Sequence, residues 1–457
     1  GIFMFSAGIG SFLSSSIKRN EIFNFILTEI LISFIGGCSA LVLMWAFAYT
    51  RVYSVIMFVL LILIGILTGL EIPLLIRILK NYFDLKITVS QILAFDYLGA
   101  LIGSVVFPLL MLPYLGIGLT GIVMGLFNIC IAITNAFVFA DILKSKKYIK
   151  WITISIFVIL FIIGTNVSSL TIKFSGKLYQ NTIIWSKQTP YQNVVLTKFK
   201  EDYRMIIDGN LQFSSLDEYR YHETLVHPAM SLVHGNKDVL ILGGGDGLAL
   251  REVLKHPEVK KVRLVDIDKE IVEVCRENII ISDLNNNSLK DPRVEIIIDD
   301  AYRFLEKDNQ IYNVIIIDLP DPNNYSLSKL YSQEFYRLLS HHLARDGIVV
   351  TQSTSPFLSN DAFSCIHHTL HSVFEYVVPY NTYIPTFGLW GFNMASDIKI
   401  NYDEIELNIQ TKFLDEDVLK TLFIFSKDTR IKDVEINRIH SPVLQMYYWK
   451  NWKKWRG

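Results

Sequence analysis

The sequence predicts a multi-pass α-helical membrane domain followed by a doubly wound, Rossmann-like α/β domain with a small N-terminal antiparallel β module. Three observations predict it. Only 16 of the 87 charged side chains in the 457 residues fall within the first 170. That stretch is about one-tenth charged and the remainder about one-quarter, which sets an apolar helical portion against a region of ordinary globular composition. After the change, near Ser168 to Lys173, short apolar strand runs alternate with helical stretches, and the first such strand opens into a glycine-rich turn.

The overall composition narrows the class. The chain is 51% hydrophobic with 43 basic and 44 acidic groups, and its mean hydropathy is +0.34. This excludes a disordered or collagen-like chain, and the near-neutral balance gives no reason to expect a nucleic-acid partner. The four cysteines, Cys38, Cys130, Cys275 and Cys365, form no C-x-x-C pair. Neither a zinc ribbon nor a disulfide framework is expected, and the redox compartment stays open.

Five apolar stretches have the roughly 20 residues a helix needs to cross a bilayer: 22–49, 52–77, 96–116, 118–140 and 150–168. A sixth, at residues 1–12, reads as the end of an earlier span, so the N-terminus is expected to be truncated. Glu29, Glu71 and Asp96 lie in or near these spans. They read either as a polar pathway or as interfacial and helix-cap carboxylates. Gly36-Gly37 and Gly99-x-x-x-Gly103 would permit close helix contacts. Lys18 and Arg19, then Arg77, Lys80 and Lys86, then Lys144, Lys146, Lys147 and Lys150 occupy alternate loops, against Arg51 and an uncharged turn at 113–118. The positive-inside rule makes the first set cytoplasmic, so a crossing at 150–168 would carry the globular part outward.

Beyond the boundary, residues 178–207 contain strand-like runs separated by turn residues, which suggests the β module. The apolar runs 239–242, 262–265, 294–298, 314–317 and 348–350 then predict the sheet. Gly243-Gly244-Gly245-Asp246-Gly247 joins the first of these to a helix starting at Leu248. Such a turn, at the carboxyl edge of a doubly wound sheet, is where nucleotide-like ligands sit. Asp266, about 20 residues later, is placed to accept hydrogen bonds from ribose hydroxyls. Asp268 better fits a helix cap. Asp300 and Ala301 follow the third strand and suit an adenine amino group. Asp246 inside the glycine turn would repel a pyrophosphate and attract an ammonium, which favours a sulfonium nucleoside over a dinucleotide.

Asp318 and Asp321, three residues apart in a proline-stiffened loop after the fourth strand, can face one site and hold a cationic amine. An alkylamine with pKa near 10 must lose a proton before its nitrogen attacks carbon, and a carboxylate there can orient it and take that proton. His222 lies between Tyr221 and Glu223 just before the glycine strand.

The motifs D-G-x-x-Q from Asp208, D-E-x-x-Y-H-E from Asp217, V-L-I-L-G-G-G-D-G-x-x-L-R-E-V-L-K-H from Val239, V-D-I-D from Val265 and D-x-x-D-P from Asp318, in this order, resemble the spermidine synthase (polyamine aminopropyltransferase) family. The likeness runs from about Tyr191 to Ser396 and takes in Gln352-x-x-Ser355-Pro356 and Trp390-Gly391-Phe392. The run Asp96 to Ser104 resembles the integral-membrane branch of that family.

The resemblance implies a methyltransferase-type Rossmann-like fold and transfer of the aminopropyl group of decarboxylated S-adenosylmethionine, a co-substrate, to putrescine or a related amine, releasing methylthioadenosine. It makes Asp318 the proton acceptor and Asp321 its amine-binding companion. Gln192 and Asp266 would hold the nucleoside, with Gly243 and Gly245 in the donor site, and Asp300 and Ala301 would hold the adenine. His222 and Asp246 would meet the amine end of substrate or donor. No metal is called for, because a sulfonium is already a good leaving group. The implied partners are the amine, the lipid bilayer and further copies of the chain. The implied location is a cell membrane, multi-pass, with a cytosolic metabolite arguing for a cytoplasmic catalytic side against the positive-inside count.

Leu319-Pro320, Asn323-Asn324-Tyr325 and Phe387 depart from the residues usual in soluble relatives and bear on acceptor recognition. The alternatives are an S-adenosylmethionine methyltransferase and a membrane polyamine sensor or transporter. The expected domains are 1–170 (transmembrane), 171–235 (β module), 236–400 (transferase) and 401–457 (C-terminal extension).

Overall fold

The computed structural model describes residues 1–80, 82–143, 148–179 and 181–455. The chain forms two compact units, Gly1–Phe199 and Lys200–Gly457. The basic residues Lys144, Lys146 and Lys147 lie outside the described residues.

The first unit is an α-helical bundle: α1 (Ile2–Ser14), α2 (Glu21–Tyr49), α3 (Tyr53–Leu79), α4 (Leu85–Val106), α5 (Leu112–Val138) and α6 (Tyr148–Tyr179), followed by β1 (Thr182–Gln188) and β2 (Asn193–Phe199). A π-helical turn, Phe107–Met111, joins α4 to α5, and Gly116 breaks the helix with φ +68°. By length and composition, four segments among the described residues are long and apolar enough to cross a membrane: Glu21–Tyr49, Tyr53–Leu79, Leu85–Val138 and Tyr148–Thr171.

Gly37 lets α2 close on α5, because a Cβ there would sit 3.3 Å from the Gly125 Cα. Gly99 and Gly103, expected to do the same, have nothing within 4 Å of the position a Cβ would take. Glu29, Glu71 and Asp96 lie within their helices, not at the caps, and line one cavity of about 500 Å³ with Asn128. Glu29 accepts the Asn128 amide at 2.8 Å.

The second unit opens with β3 (Asp202–Ile207), β4 (Asn210–Ser214) and α7 (Glu218–Leu232). Then come β5 (Lys237–Gly243), α8 (Leu248–Leu254), β6 (Val259–Asp266), α9 (Lys269–Glu277), α10 (Ile279–Leu284), β7 (Val294–Ile298), α11 (Ala301–Lys307) and β8 (Tyr312–Asp318). The remainder is α12 (Tyr325–Lys329), α13 (Gln333–Ser340), β9 (Leu343–Gln352), α14 (Asn360–His371), β10 (Tyr376–Ile384), β11 (Gly388–Ser396), α15 (Glu416–Leu422) and α16 (Val443–Trp452).

Seven strands form one sheet in the order β10-β11-β9-β8-β5-β6-β7. β5 to β9 are parallel, while β11 and β10 add antiparallel pairs at one edge. The central strands read as continuous apolar runs because helices cover both faces. Leu240, Leu242, Ile315, Ile317 and Val349 are buried against Phe335, Leu339, Ala362 and Ile366. Burying each large aliphatic side chain contributes about 1.5–3 kcal/mol.

Helix starts follow local chemistry. Asp268 caps α9 by accepting the Glu270 N–H at 3.1 Å, as its position suggested, and Ser332 caps α13 through the Phe335 N–H at 3.2 Å.

The candidate active site

Chain order within the sheet reverses at β5, whose neighbours are β6 and β8. A crevice at the carboxyl end of such a switch point is the ordinary ligand position of this architecture. The register brings the predicted residues side by side. Gly243 pairs with Asp318, and Asp266 pairs with Ile298, one residue before Asp299. The carboxyl edge therefore carries Asp318, the glycine turn, Asp266 and the Asp299-Asp300-Ala301 corner on adjacent strands.

The turn needs its glycines for two reasons. Gly243, Gly244 and Gly247 have φ of +83°, +65° and +79°, where other residues are strained. Gly245 has no such φ, but a Cβ on it would lie 2.6 Å from Asp266 Oδ2. That close approach lets the Gly245 N–H donate to Asp266 Oδ2 at 3.1 Å, while the Asp268 N–H donates to Oδ1 at 2.8 Å. Burial nonetheless pushes the Asp266 carboxyl up to about 6, since the two N–H groups only partly offset desolvation. Asp246 accepts the Leu248 N–H at 2.9 Å, opening α8. Burial raises its pKa, against the pull of His222. Asp300 caps α11 through the Arg303 N–H at 3.0 Å, and Ala301 is buried beside it.

The other half of the cluster is held by side chains. Tyr221, on α7, donates its hydroxyl to Asp318 Oδ1 at 2.7 Å. Burial pushes Asp318 up to about 6. His222 and the Tyr221 hydroxyl favour its ionised form, whereas Asp246 disfavours it. His222 is itself buried, which disfavours its charge. Its Nδ1 lies 2.8 Å from Glu218 Oε2, and that carboxylate, with Asp246 and Asp318, outweighs burial and raises it to about 8. The imidazolium thus balances part of the negative charge it faces.

Glu218 is fixed in turn by Arg251, whose NH1 and NH2 reach its two oxygens at 2.8 and 2.9 Å. Arg251 Nε donates to Glu252 at 2.7 Å, and Glu252 meets His227 at 2.9 Å. This buried ladder runs behind the site and orients His222 from below.

Asp321 accepts the Tyr448 hydroxyl at 3.1 Å and faces Gln352 Nε2 at 3.5 Å. Burial pushes it up to about 6 despite these donors. Gln352 and Tyr331 brace the loop between the two aspartates. The Gln352 amide donates to the Leu319 carbonyl at 2.8 Å and to the Tyr331 hydroxyl at 2.7 Å, and that hydroxyl reaches the Leu319 and Pro320 carbonyls at 3.1 Å. Phe387 stands edge-on to Tyr221 with ring centroids 6.3 Å apart.

One group therefore contains His222, Asp246, Asp266, Asp318 and the glycine turn, with Asp300-Ala301 at its β7 end and Asp321 on the loop leaving β8. Gln192 belongs to the first unit, in the turn between β1 and β2, where its carbonyl accepts the Thr189 N–H at 2.9 Å. Sequence reasoning assigned no role to Tyr221, Glu218, Arg251, Tyr331 or Tyr448. Tyr221 and Glu218 stood within the D-E-x-x-Y-H-E motif and Arg251 within the glycine motif, so their signal was present. Tyr331 and Tyr448 carried none.

Residues 218–404 match the model of the spermine/spermidine synthase domain. The chain is 41% identical over 456 residues to a polyamine aminopropyltransferase of Leptospira interrogans, covering 99% of this chain and 91% of that protein. It is 38% identical to one of Oceanobacillus iheyensis, covering 99% and 90%. A solved spermidine synthase in complex with the transition state analogue AdoDATO is similar with a TM-score of 0.50 and 29% identity, covering 53% of this chain and 85% of that one.

These findings correct the membrane part of the sequence reading. They give an enzyme family and a fold matching a solved spermidine synthase, and no integral-membrane branch. The membrane domain, the multi-pass cell-membrane location and the lipid bilayer as partner are withdrawn, and the N-terminal portion stands as an α-helical bundle. The physical reason is that length and hydropathy state only that a helix is able to span a bilayer. The methyltransferase and sensor alternatives give way to the family match. The chain belongs to the polyamine aminopropyltransferase (spermidine synthase) family and transfers an aminopropyl group from decarboxylated S-adenosylmethionine to a polyamine.

Proposed function

We propose that Asp318 is the proton acceptor of this transfer and that the acceptor is putrescine or a related amine. The arrangement that supports this most is Asp318 itself, beside the glycine turn, hydrogen-bonded to Tyr221 and facing His222. An alkylammonium has pKa near 10, so an ordinary carboxylate is a poor base for it. Burial that lifts Asp318 to about 6 brings it some two units nearer the amine. In this reading the ammonium gives its proton to Asp318, and the freed lone pair attacks the aminopropyl carbon bound to the sulfonium. The C–N bond forms as the C–S bond breaks. The bonding pair returns to sulfur, giving neutral methylthioadenosine and a charged secondary amine.

Asp266, with Gly243 and Gly245, takes the ribose side of the donor, and Asp300-Ala301 takes the adenine. Asp246 holds the ammonium of the aminopropyl group, a place that would repel the carboxylate of undecarboxylated S-adenosylmethionine. His222 balances Asp246 and Asp318 before the cations enter. Asp321 holds the acceptor's second ammonium.

The test is a product assay on the full chain with decarboxylated S-adenosylmethionine and a panel of diamines and polyamines, followed by mass spectrometry. Methylthioadenosine with an aminopropylated diamine, lost in Asp318→Asn while donor binding persists, is the expected outcome. Undiminished turnover in Asp318→Asn would remove the proton-acceptor assignment, and preference for a longer amine would remove putrescine.

A further inference from the structure

Asp321 is held from a part of the chain that lies beyond residue 404, where the match to the synthase domain ends. This C-terminal segment is tied down by buried polar groups. The buried Glu223 carboxylate on α7 accepts the backbone N–H groups of Lys412, Phe413 and Leu414 at 2.7, 2.9 and 3.0 Å. The buried Asn437 side chain donates to the Ser328 and Tyr331 carbonyls at 2.8 and 3.1 Å. α16 follows, with Leu444 and Tyr448 in the main core. From α16, the Trp449 indole N–H reaches the Asn323 carbonyl at 2.7 Å and the Tyr448 hydroxyl reaches Asp321 at 3.1 Å. Two successive side chains of one helix thus grip the loop that follows β8.

We propose that Tyr448 is a positioning residue for the amine acceptor: its hydroxyl holds the Asp321 carboxylate in an amine-facing orientation, so the C-terminal segment tunes acceptor affinity. This rests on the reading of Asp321 as the group that holds the acceptor's second ammonium.

The groups that favour ionised Asp321 are hydrogen-bond donors, not cations: Tyr448 on α16, then Gln352 at the end of β9 and Thr354 just past it. Tyr331 and Tyr221, which also face it, are neutral, and Asp318 is three residues away. Gln352 stands at 3.5 Å with its amide committed to the Leu319 carbonyl and the Tyr331 hydroxyl, so Tyr448 makes the shorter contact. Burial already pushes Asp321 up to about 6. Removing the hydroxyl pushes it further, and at neutral pH more of the carboxyl carries a proton and attracts an ammonium less.

The test is steady-state kinetics of the full chain with decarboxylated S-adenosylmethionine and putrescine across about pH 5 to 9, for Tyr448→Phe, Asp321→Asn, the double variant and Asn451→Ala. The last removes the Asn451–Asp361 contact at 3.0 Å, which docks α16 without touching Asp321. Tyr448→Phe is expected to raise the putrescine KM about tenfold, the scale of one hydrogen bond to a charged group. It is expected to leave the donor KM unchanged, to move the acid limb of kcat/KM for putrescine to higher pH, and to have little effect in the Asp321→Asn background. An unchanged putrescine KM, or the same pH displacement in Asn451→Ala, overturns the role of Tyr448 while leaving Asp321 in place. If Asp321→Asn itself leaves the putrescine KM intact, the underlying reading of Asp321 fails first.

Discussion

The two ends of the site manage buried carboxylates in different ways. At the end proposed to take the nucleoside, Asp266 and Asp300 are held by backbone N–H groups from their own turns, those of Gly245, Asp268 and Arg303. At the end proposed to take the amine, Asp318 and Asp321 are held by hydroxyls 97 and 127 residues away, Tyr221 and Tyr448. A backbone donor in a tight turn is set by local conformation, so the nucleoside end is rigid once the sheet forms. A hydroxyl from a distant helix depends on tertiary packing, so the orientation of Asp318 and Asp321 is set only once those helices have docked. On the proposed site roles, the difference separates the carboxylates assigned to the co-substrate from those assigned to the acceptor.

The strongest way to break that division is Asp318→Asn, expected to lower kcat by about 10²- to 10⁴-fold, the usual contribution of a positioned proton acceptor. Equilibrium dialysis with the donor should find its binding retained; parallel loss of donor affinity would merge the two ends. Next is Arg251→Met, which removes the two-oxygen guanidinium contact from the buried Glu218 and leaves it the single His222 contact at 2.8 Å. Breaking a buried pair costs about 3–5 kcal/mol, and urea unfolding should register a loss of that size.

Gly245→Ala sharpens the comparison from the nucleoside side. The added Cβ must push Asp266 out of place, so the donor KM is expected to rise about tenfold, equivalent to one lost hydrogen bond, with the putrescine KM little changed. Tyr221→Phe removes a donor that favours ionised Asp318. The acid limb of the kcat profile should move to higher pH, by less than one unit for about 1 kcal/mol of lost hydrogen bonding; a shift to lower pH would refute the assignment.

The smallest effect is on stability. Asp318 and Asp321 have folded values near 6, above their unfolded values near 4. Between those limits the folded state binds more protons, so their contribution is fully present below about pH 4 and is lost as pH rises through 6. Asp321→Asn should therefore gain stability on the order of 1 kcal/mol at neutral pH. A thermal midpoint that stays level or falls relative to the unsubstituted chain would show that these carboxylates are not strained by burial.

Legibility in the sequence followed the same line. The glycine turn, Asp266, Asp300 and Asp318 were readable because each sits at the end of an apolar strand run, and a parallel sheet aligns such ends. His222 was readable from its motif, but its raised pKa was not, since this depends on Glu218 one helical turn before it and on Asp246 and Asp318 across the cleft. Residues 401–457 were readable only as an extension. Nothing in their composition marks Tyr448, because a tyrosine between apolar neighbours on a helix is most often core, and this one is also core. The apolar first 170 residues were over-read: α2, α3 and α6 lie where the hydropathy places them and the helix expected from residue 96 begins at Leu85, but the bilayer inferred from them does not follow.

The sequence alone determined the five parallel strands and the glycine turn at their carboxyl edge, because strand patterning and tight turns are local consequences of side-chain branching and of the missing glycine Cβ; the antiparallel β10 and β11 were not predicted. Only the tertiary structure decided how the charges balance and what grips the acceptor loop. Those properties depend on burial and on partners from opposite ends of the chain, and a hydrogen bond across 127 residues leaves no trace in the spacing of either residue.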